Sequence, residues 1–179
     1  MNYINDYSIF NEVSKFKKLR IFRIGSNRIY KNIDKIQDIL EFPCLTQLGV
    51  TNGVFNDDSI KLFKYFKFNS LKILYLQANS LTSLEFLKYF ENKCPNLQEL
   101  WLYNNCLSEY DLIGNFKTLK KIHLENNQIR NIDNLIEFIK HFENLEEFNL
   151  SKNKIDLNDS KNKNIIENIK NIEKLKFFI

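Results

Sequence analysis

The sequence predicts an α/β horseshoe: a curved, right-handed solenoid with a concave parallel β-sheet and a helical or 3-10 convex side. Three observations predict it. The skeleton L-x-x-L-x-L-x-x-N-x-L recurs along the chain at near-constant distance. Its middle leucines alternate with outward residues at a period of two, as a half-buried strand requires. The second half of most units carries apolar residues three apart, which reads as helix.

Residues 1–18 precede the first copy. Ile4, Tyr7, Phe10, Val13 and Phe16 recur every three residues. They are expected on one side of a short helix that covers the open end of the first layer, because a terminal layer of a solenoid has no neighbour to bury it. The copies then begin at Leu19, Leu45, Leu71, Leu97, Leu119, Leu145 and Ile172, in steps of 26, 26, 26, 22, 26 and 27 residues. Full units are expected at 19–44, 45–70, 71–96, 97–118, 119–144 and 145–171, with a partial unit at 172–179, all within one domain, 1–179.

Each unit opens with a strand. In 97–107, Leu100 and Leu102 face inward, while Trp101 and Tyr103 face out. So short a strand buries its single apolar row only by stacking on neighbouring units. The asparagine three residues beyond the last of these leucines sits where the chain turns, and its amide can pair buried backbone groups. Asn27, Asn79, Asn105, Asn127 and Asn153 are expected to form a ladder. Gly53 breaks it, and Asn52 substitutes only with a shift of register.

The outer half of the units carries Leu84/Leu87/Phe90, Tyr110/Ile113/Phe116 and Ile132/Leu135/Phe138, with shifted versions Ile33/Ile36/Leu40 and Ile60/Phe63/Phe66. The spacing predicts α-turns over 83–91 and 134–141, and a single 3-10 turn in the short fourth unit. Pro43 and Pro95 mark the return into a strand. Residues 156–164 are expected to form a mobile polar loop, followed by a short outer helix on Ile165, Ile166 and Ile169. Phe177, Phe178 and Ile179 read as a last edge strand, which needs a covering partner, a continuing chain, or protection by Lys174 and Lys176.

The chain has 179 residues, 27% of them charged, and a formal net charge of +4, a balance that by itself selects no class of partner. The N-terminus lacks a secretory pattern and no run is long enough to span a membrane, so no membrane partner is expected. An intracellular, cytoplasmic location is expected, with a cytoskeletal or nuclear one also open. Three cysteines, Cys44, Cys94 and Cys106, give no disulfide framework and read as buried thiols. No metal site and no cofactor are expected: neither histidine lies near a cysteine in the repeat register, and there is no glycine-rich phosphate loop.

The informative positions face outward on the strands: Arg23, Gly49, Tyr75, Trp101, His123, Asn149 and Lys176 form the central row. Tyr75, Trp101 and His123 are thereby adjacent, flanked by Ile73 and Tyr103, with Glu99, Lys121, Glu125 and Glu147 around them. Clustered aromatics outside the core register suit a protein interface; the competing reading is that they only shield the sheet. A rim of mixed sign suits a folded surface or a helix better than a nucleic-acid backbone. Lys17, Lys18, Arg20, Arg23 and Arg28 form a basic N-terminal edge, so an RNA-associated subunit is the alternative. His123 beside a glutamate is the only pair with catalytic chemistry, and it has no nucleophile and no water-excluding pocket, so no enzyme is expected.

The skeleton, five times with its asparagine, resembles the leucine-rich repeat family. The short unit 97–118 is similar to repeats of intracellular regulatory members, and the longer units to helix-backed ribonuclease-inhibitor-type repeats. The resemblance implies a non-catalytic protein–protein interaction module, an adaptor or a structural subunit of an assembly, with its partner on the concave face.

Overall fold

Apolar residues at every second position need a partner layer, and the parallel sheet supplies it. In a computed structural model, which describes residues 4–27, 29, 31, 34, 36, 38–53, 55–90, 93–110 and 116–179, the strands follow in chain order. They are β1 (Ile21–Gly25), β2 (Leu40–Glu41), β3 (Gln47–Thr51), β4 (Phe66–Lys67), β5 (Ile73–Tyr75), β6 (Glu99–Trp101), β7 (Lys121–His123), β8 (Glu147–Asn149) and β9 (Lys176–Phe178). β1, β3 and β5–β9 form one parallel sheet in sequence order, the topology of a coil that adds one strand per turn. Leu48, Leu74, Leu100, Ile122 and Phe148 stand opposite one another through it and are buried.

Past each strand the ladder bends through a residue with positive φ: Ser26, Asn52, Ala78, Asn104, Asn126 and Lys152. The N–H groups of Ser26, Asn52, Ala78, Asn104 and Asn126 still donate to the next turn; Ala78 N to Tyr103 O and Asn104 N to Glu125 O are 2.9 and 3.1 Å. Left-handed backbone is unfavourable for an L-residue, by about 1–2 kcal/mol, and is held here by the bonds on either side.

The asparagine ladder is present. Asn79, Asn105, Asn127 and Asn153 each donate Nδ2 to a carbonyl of their own unit and one of the preceding unit, and accept from a backbone N–H of the preceding unit. Asn27 accepts from Ile4 N, which ties down the N-terminal segment. Gly53 lies at φ +81° with open space where a side chain would point, and Asn52 is exposed and its side chain donates, among the described residues, only to Thr51 Oγ1. Asn52 therefore does not replace the missing amide.

The convex side corrects several expectations. Over 83–91 the structure forms a 3-10 helix, Glu85–Tyr89, in place of α-turns, and Ser59–Tyr65 is also 3-10. The tighter helix keeps residues three apart on one face, so Leu84, Leu87 and Phe90 are all buried. Residues 134–141 do contain an α-helix, Leu135–Lys140. Residues 111–115, with Ile113, and Ile33 lie outside the described residues.

A second small sheet pairs β2 with β4, and Phe42 N and Phe68 N extend it to Lys67 O and Lys93 O. Residues 160–164, expected in a mobile loop, are the first turn of the helix Ser160–Lys170. The Asp159 carboxylate caps it by accepting from Asn162 N at 2.9 Å. That turn is polar because it faces solvent, and only Ile165, Ile166 and Ile169 reach the core.

At the N-terminus the helix Ile9–Ser14 carries Phe10 and Val13 into the core beside Tyr7, but Phe16 is 67% exposed. At the other end the last strand is displaced. Phe177 lies opposite Phe148 and Phe178 opposite Asn149, so Phe178, not Lys176, occupies the central row. Phe177 stacks on Phe148 with ring centroids 5.9 Å apart, which favours this register over one that would place Leu175 there.

Of the cysteines only Cys94 is buried; Cys44 and Cys106 are exposed, against expectation. Burial pushes the Cys94 thiol well above its ordinary range. Native protein is expected to react with an aromatic disulfide reagent at Cys44 and Cys106, and at Cys94 only after unfolding. Rapid native labelling of Cys94, located by mass spectrometry, would contradict the packing described.

Candidate protein-interaction surface

The concave face is built from three levels of outward residues. The first runs Ile73, Glu99, Lys121, Glu147, Lys176, each opposite the next. The second runs Arg23, Gly49, Tyr75, Trp101, His123, Asn149, Phe178. Tyr103 and Glu125 belong to the third, held together by the bond from Asn104 N to Glu125 O.

Along the second level a chain of π contacts runs across the strands. The Arg23 guanidinium lies 5.2 Å above the Tyr75 ring and donates to Gln47 Oε1 at 2.9 Å. It crosses Gly49 to do so: a Cβ there would come within 3.1 Å of Arg23 Cγ. Gly49 thus leaves the gap through which Arg23 reaches Tyr75, a role the sequence reading did not assign. Tyr75 and Trp101 are 5.9 Å apart, Trp101 meets Tyr103 edge to face at 6.3 Å, and Trp101 stacks on His123 at 3.7 Å and 6°. Ile73, Tyr75, Trp101 and Tyr103 are half-buried, the state of a surface that is neither core nor free solvent.

His123 departs from the expectation of an exposed residue. It is only 5% exposed, roofed by Trp101 and flanked by Glu125 Oε2, 3.6 Å from Nδ1, and Glu147 Oε1, 3.7 Å from Nε2. Neither ring nitrogen, nor Glu125 Oε2, has a hydrogen-bond partner among the described residues. Glu99 is better served: Oε2 accepts from Trp101 Nε1 at 3.1 Å, and Oε1 lies 3.5 Å from Lys121. That bond fixes the indole plane on which His123 stacks. The aromatics therefore do pack on one another, and a part of each ring still faces the concavity.

The basic N-terminal edge is less concentrated than its sequence. Lys15 pairs with Glu12 at 2.7 Å, Lys17 donates to Glu41 O at 3.3 Å, and Arg23 is drawn onto the concave face. Lys18 and Arg20 are exposed, and Arg28 lies outside the described residues. At the far end Phe178 is 47% exposed, and Phe177 and Ile179 are partly buried. No group of three or more His, Cys, Asp or Glu among the described residues is arranged to hold a metal ion. No helix among them is long and apolar enough to cross a membrane.

A family model described as leucine-rich repeats in two copies matches residues 69–115 and 95–137. A solved structure of a leucine-rich repeat protein from Leptospira interrogans superposes with a TM-score of 0.58 at 20% identity, over 94% of this chain and 45% of that one. The fold is a leucine-rich repeat solenoid. The repeat protein also resembles the septation initiation network scaffold protein cdc11 of Schizosaccharomyces pombe, with 22% identity over 160 residues. That match covers 82% of this chain and 15% of the scaffold protein, so the repeat chain corresponds to a small part of that relative. Leucine-rich repeats are characteristically non-catalytic, and their outward strand positions are free to vary because the fold does not use them.

Proposed function

We propose that this protein is a non-catalytic protein–protein interaction module, acting as an adaptor or a structural subunit of a larger assembly and binding its partner on the concave face. The observation that carries the reading is the half-buried row Tyr75, Trp101 and Tyr103, ringed by Glu99, Lys121, Glu125 and Glu147. Rigid aromatics already held by their neighbours lose little side-chain entropy on binding and bury a large area. Mixed charges around them set the partner's orientation. The scaffold character of the Schizosaccharomyces relative agrees with this role.

Tyr75→Ala and Trp101→Ala are each expected to weaken partner binding by about 30-fold or more, the scale of an interface hot spot. Lys88→Ala on the convex side should leave it unchanged. A photoreactive residue at position 101, with a control at position 88, identifies the partner in native lysate, and calorimetry with the purified pair then measures these variants. Undiminished affinity in both aromatic variants, with the fold intact by circular dichroism, would refute the reading.

A further inference from the structure

The floor around His123 is the most unsatisfied place on the concave face. The imidazole is nine-tenths buried, and both its nitrogens lack a hydrogen bond among the described residues. Glu125 and Glu147 face it from opposite edges at 3.6 and 3.7 Å, and neither has a lysine or arginine within ion-pair distance among the described residues. Glu125 Oε2 is buried and accepts from nothing described. A buried carboxylate oxygen without a donor is costly, and the cost is relieved by a donor brought from outside. Glu99 differs: Lys121 and the indole N–H already occupy it.

Resting on the reading that the concave face docks a protein, we propose that this floor is a subsite for an arginine side chain of the bound partner. Arginine fits for three reasons. Its guanidinium presents five N–H donors in a fixed plane, enough to serve two separated carboxylates at once, where an ammonium is a point charge. The half-buried Tyr103 ring, on the segment bonded to that of Glu125 through Asn104 N, offers an aromatic surface against which a guanidinium packs. The chain already makes such a contact at the other end of the same row, where Arg23 lies over Tyr75. A divalent cation fits less well: the carboxylates and the imidazole do not converge with metal geometry. The partner is then a protein whose docking segment lays an arginine across the rim of this floor, within reach of the part-exposed carboxylates of Glu125 and Glu147, while its apolar residues rest on Tyr75 and Trp101.

The test uses N-acetyl-argininamide as the probe, observed through the Trp101 Nε1–H and His123 ring resonances of the whole chain. Saturable shifts are expected with a dissociation constant of about 1 mM, the scale for a fragment of this size. N-acetyl-citrullinamide, equal in shape and uncharged, should give none, and N-acetyl-lysinamide should bind more weakly. In Glu125→Gln/Glu147→Gln the arginine probe should weaken about tenfold or more. Equal shifts from the citrulline or the lysine probe would overturn the proposal, and so would unchanged arginine binding by the double variant. The citrulline and lysine arms use wild-type protein, so they decide even where the double variant is destabilised. If the arginine probe fails while partner affinity still falls in Tyr75→Ala and Trp101→Ala, the subsite alone is wrong. If partner affinity ignores those two variants, the docking reading is wrong.

Discussion

Asn105→Ala is expected to destabilise the protein by about 3–5 kcal/mol, the range reached when several buried polar groups lose their partners together. The side chain is 5% exposed and joins two units. Its Oδ1 accepts from Leu81 N at 3.1 Å, and its Nδ2 donates to Leu76 O at 3.0 Å and Leu102 O at 2.9 Å. Alanine leaves one donor and two acceptors in the turn without their bonds, in a space too enclosed for water to replace all three. Asn153 makes the same set of bonds, to Ile129 N, Leu124 O and Leu150 O, but is only half-buried. Asn153→Ala should therefore cost about 1–2 kcal/mol, because solvent replaces part of what is lost. Urea unfolding of the two variants makes the comparison. Equal losses would show that burial does not set the value of a ladder asparagine, and a loss below about 1 kcal/mol at Asn105 would remove the ladder from the account of stability.

The ladder was legible in the sequence because its requirement is local. A turn that strands the same backbone groups in every unit needs the same amide at the same offset, so Asn79, Asn105, Asn127 and Asn153 could be picked out by spacing alone. The stacked leucines were legible for the same reason. The convex side was less so, because residues three apart are compatible with both an α-turn and a 3-10 turn. Units of the same length make different choices, a 3-10 helix at Glu85–Tyr89 and an α-helix at Leu135–Lys140, so neither the spacing nor the length of the unit reveals which forms. Polarity misled at 160–164: a helix turn facing solvent on every side carries no periodic signal, and its one local sign was the cap Asp159.

On the concave face the sequence located the row but missed its internal contacts. Trp101 and His123 could be placed side by side from the repeat, but the burial of His123 depends on rotamers, on the Glu99 bond that orients the indole, and on two glutamates from different levels. The Arg23–Tyr75 contact was hidden because it skips a strand, which only the missing side chain of Gly49 permits. The shift of the last strand was hidden because Leu175 and Phe177 offer equally apolar candidates for one place. Only packing of Phe177 on Phe148 decides between them.

Phe63→Ala is expected to cost about 3–5 kcal/mol, and to do so locally. The ring is 1% exposed and sits at the centre of an aromatic cluster, with Phe55 at 5.3 Å, Phe66 at 5.4 Å, Phe68 at 6.2 Å and Phe90 at 4.7 Å. Phe55, Phe66 and Phe68 belong to the same coil as Phe63 and Phe90 to the next, so one truncation opens a cavity at the boundary of two layers. A second set of rings, Tyr110, Phe138, Phe142, Phe148 and Phe177, packs separately behind β7 and β8. In a solenoid each layer contacts only its neighbours, so a loss in one place need not be transmitted to the far end. Hydrogen exchange of Phe63→Ala should therefore show faster amides in β3, β4 and β5, with β7 and β8 close to their wild-type rates. Phe178→Ala, at a 47% exposed position, should change stability by less than about 1 kcal/mol. Uniform acceleration across all strands in Phe63→Ala would mean that the solenoid unfolds as one cooperative unit. The aromatic cluster would then stabilise the concave row as much as its own layers, and partner binding through Trp101 would weaken with it.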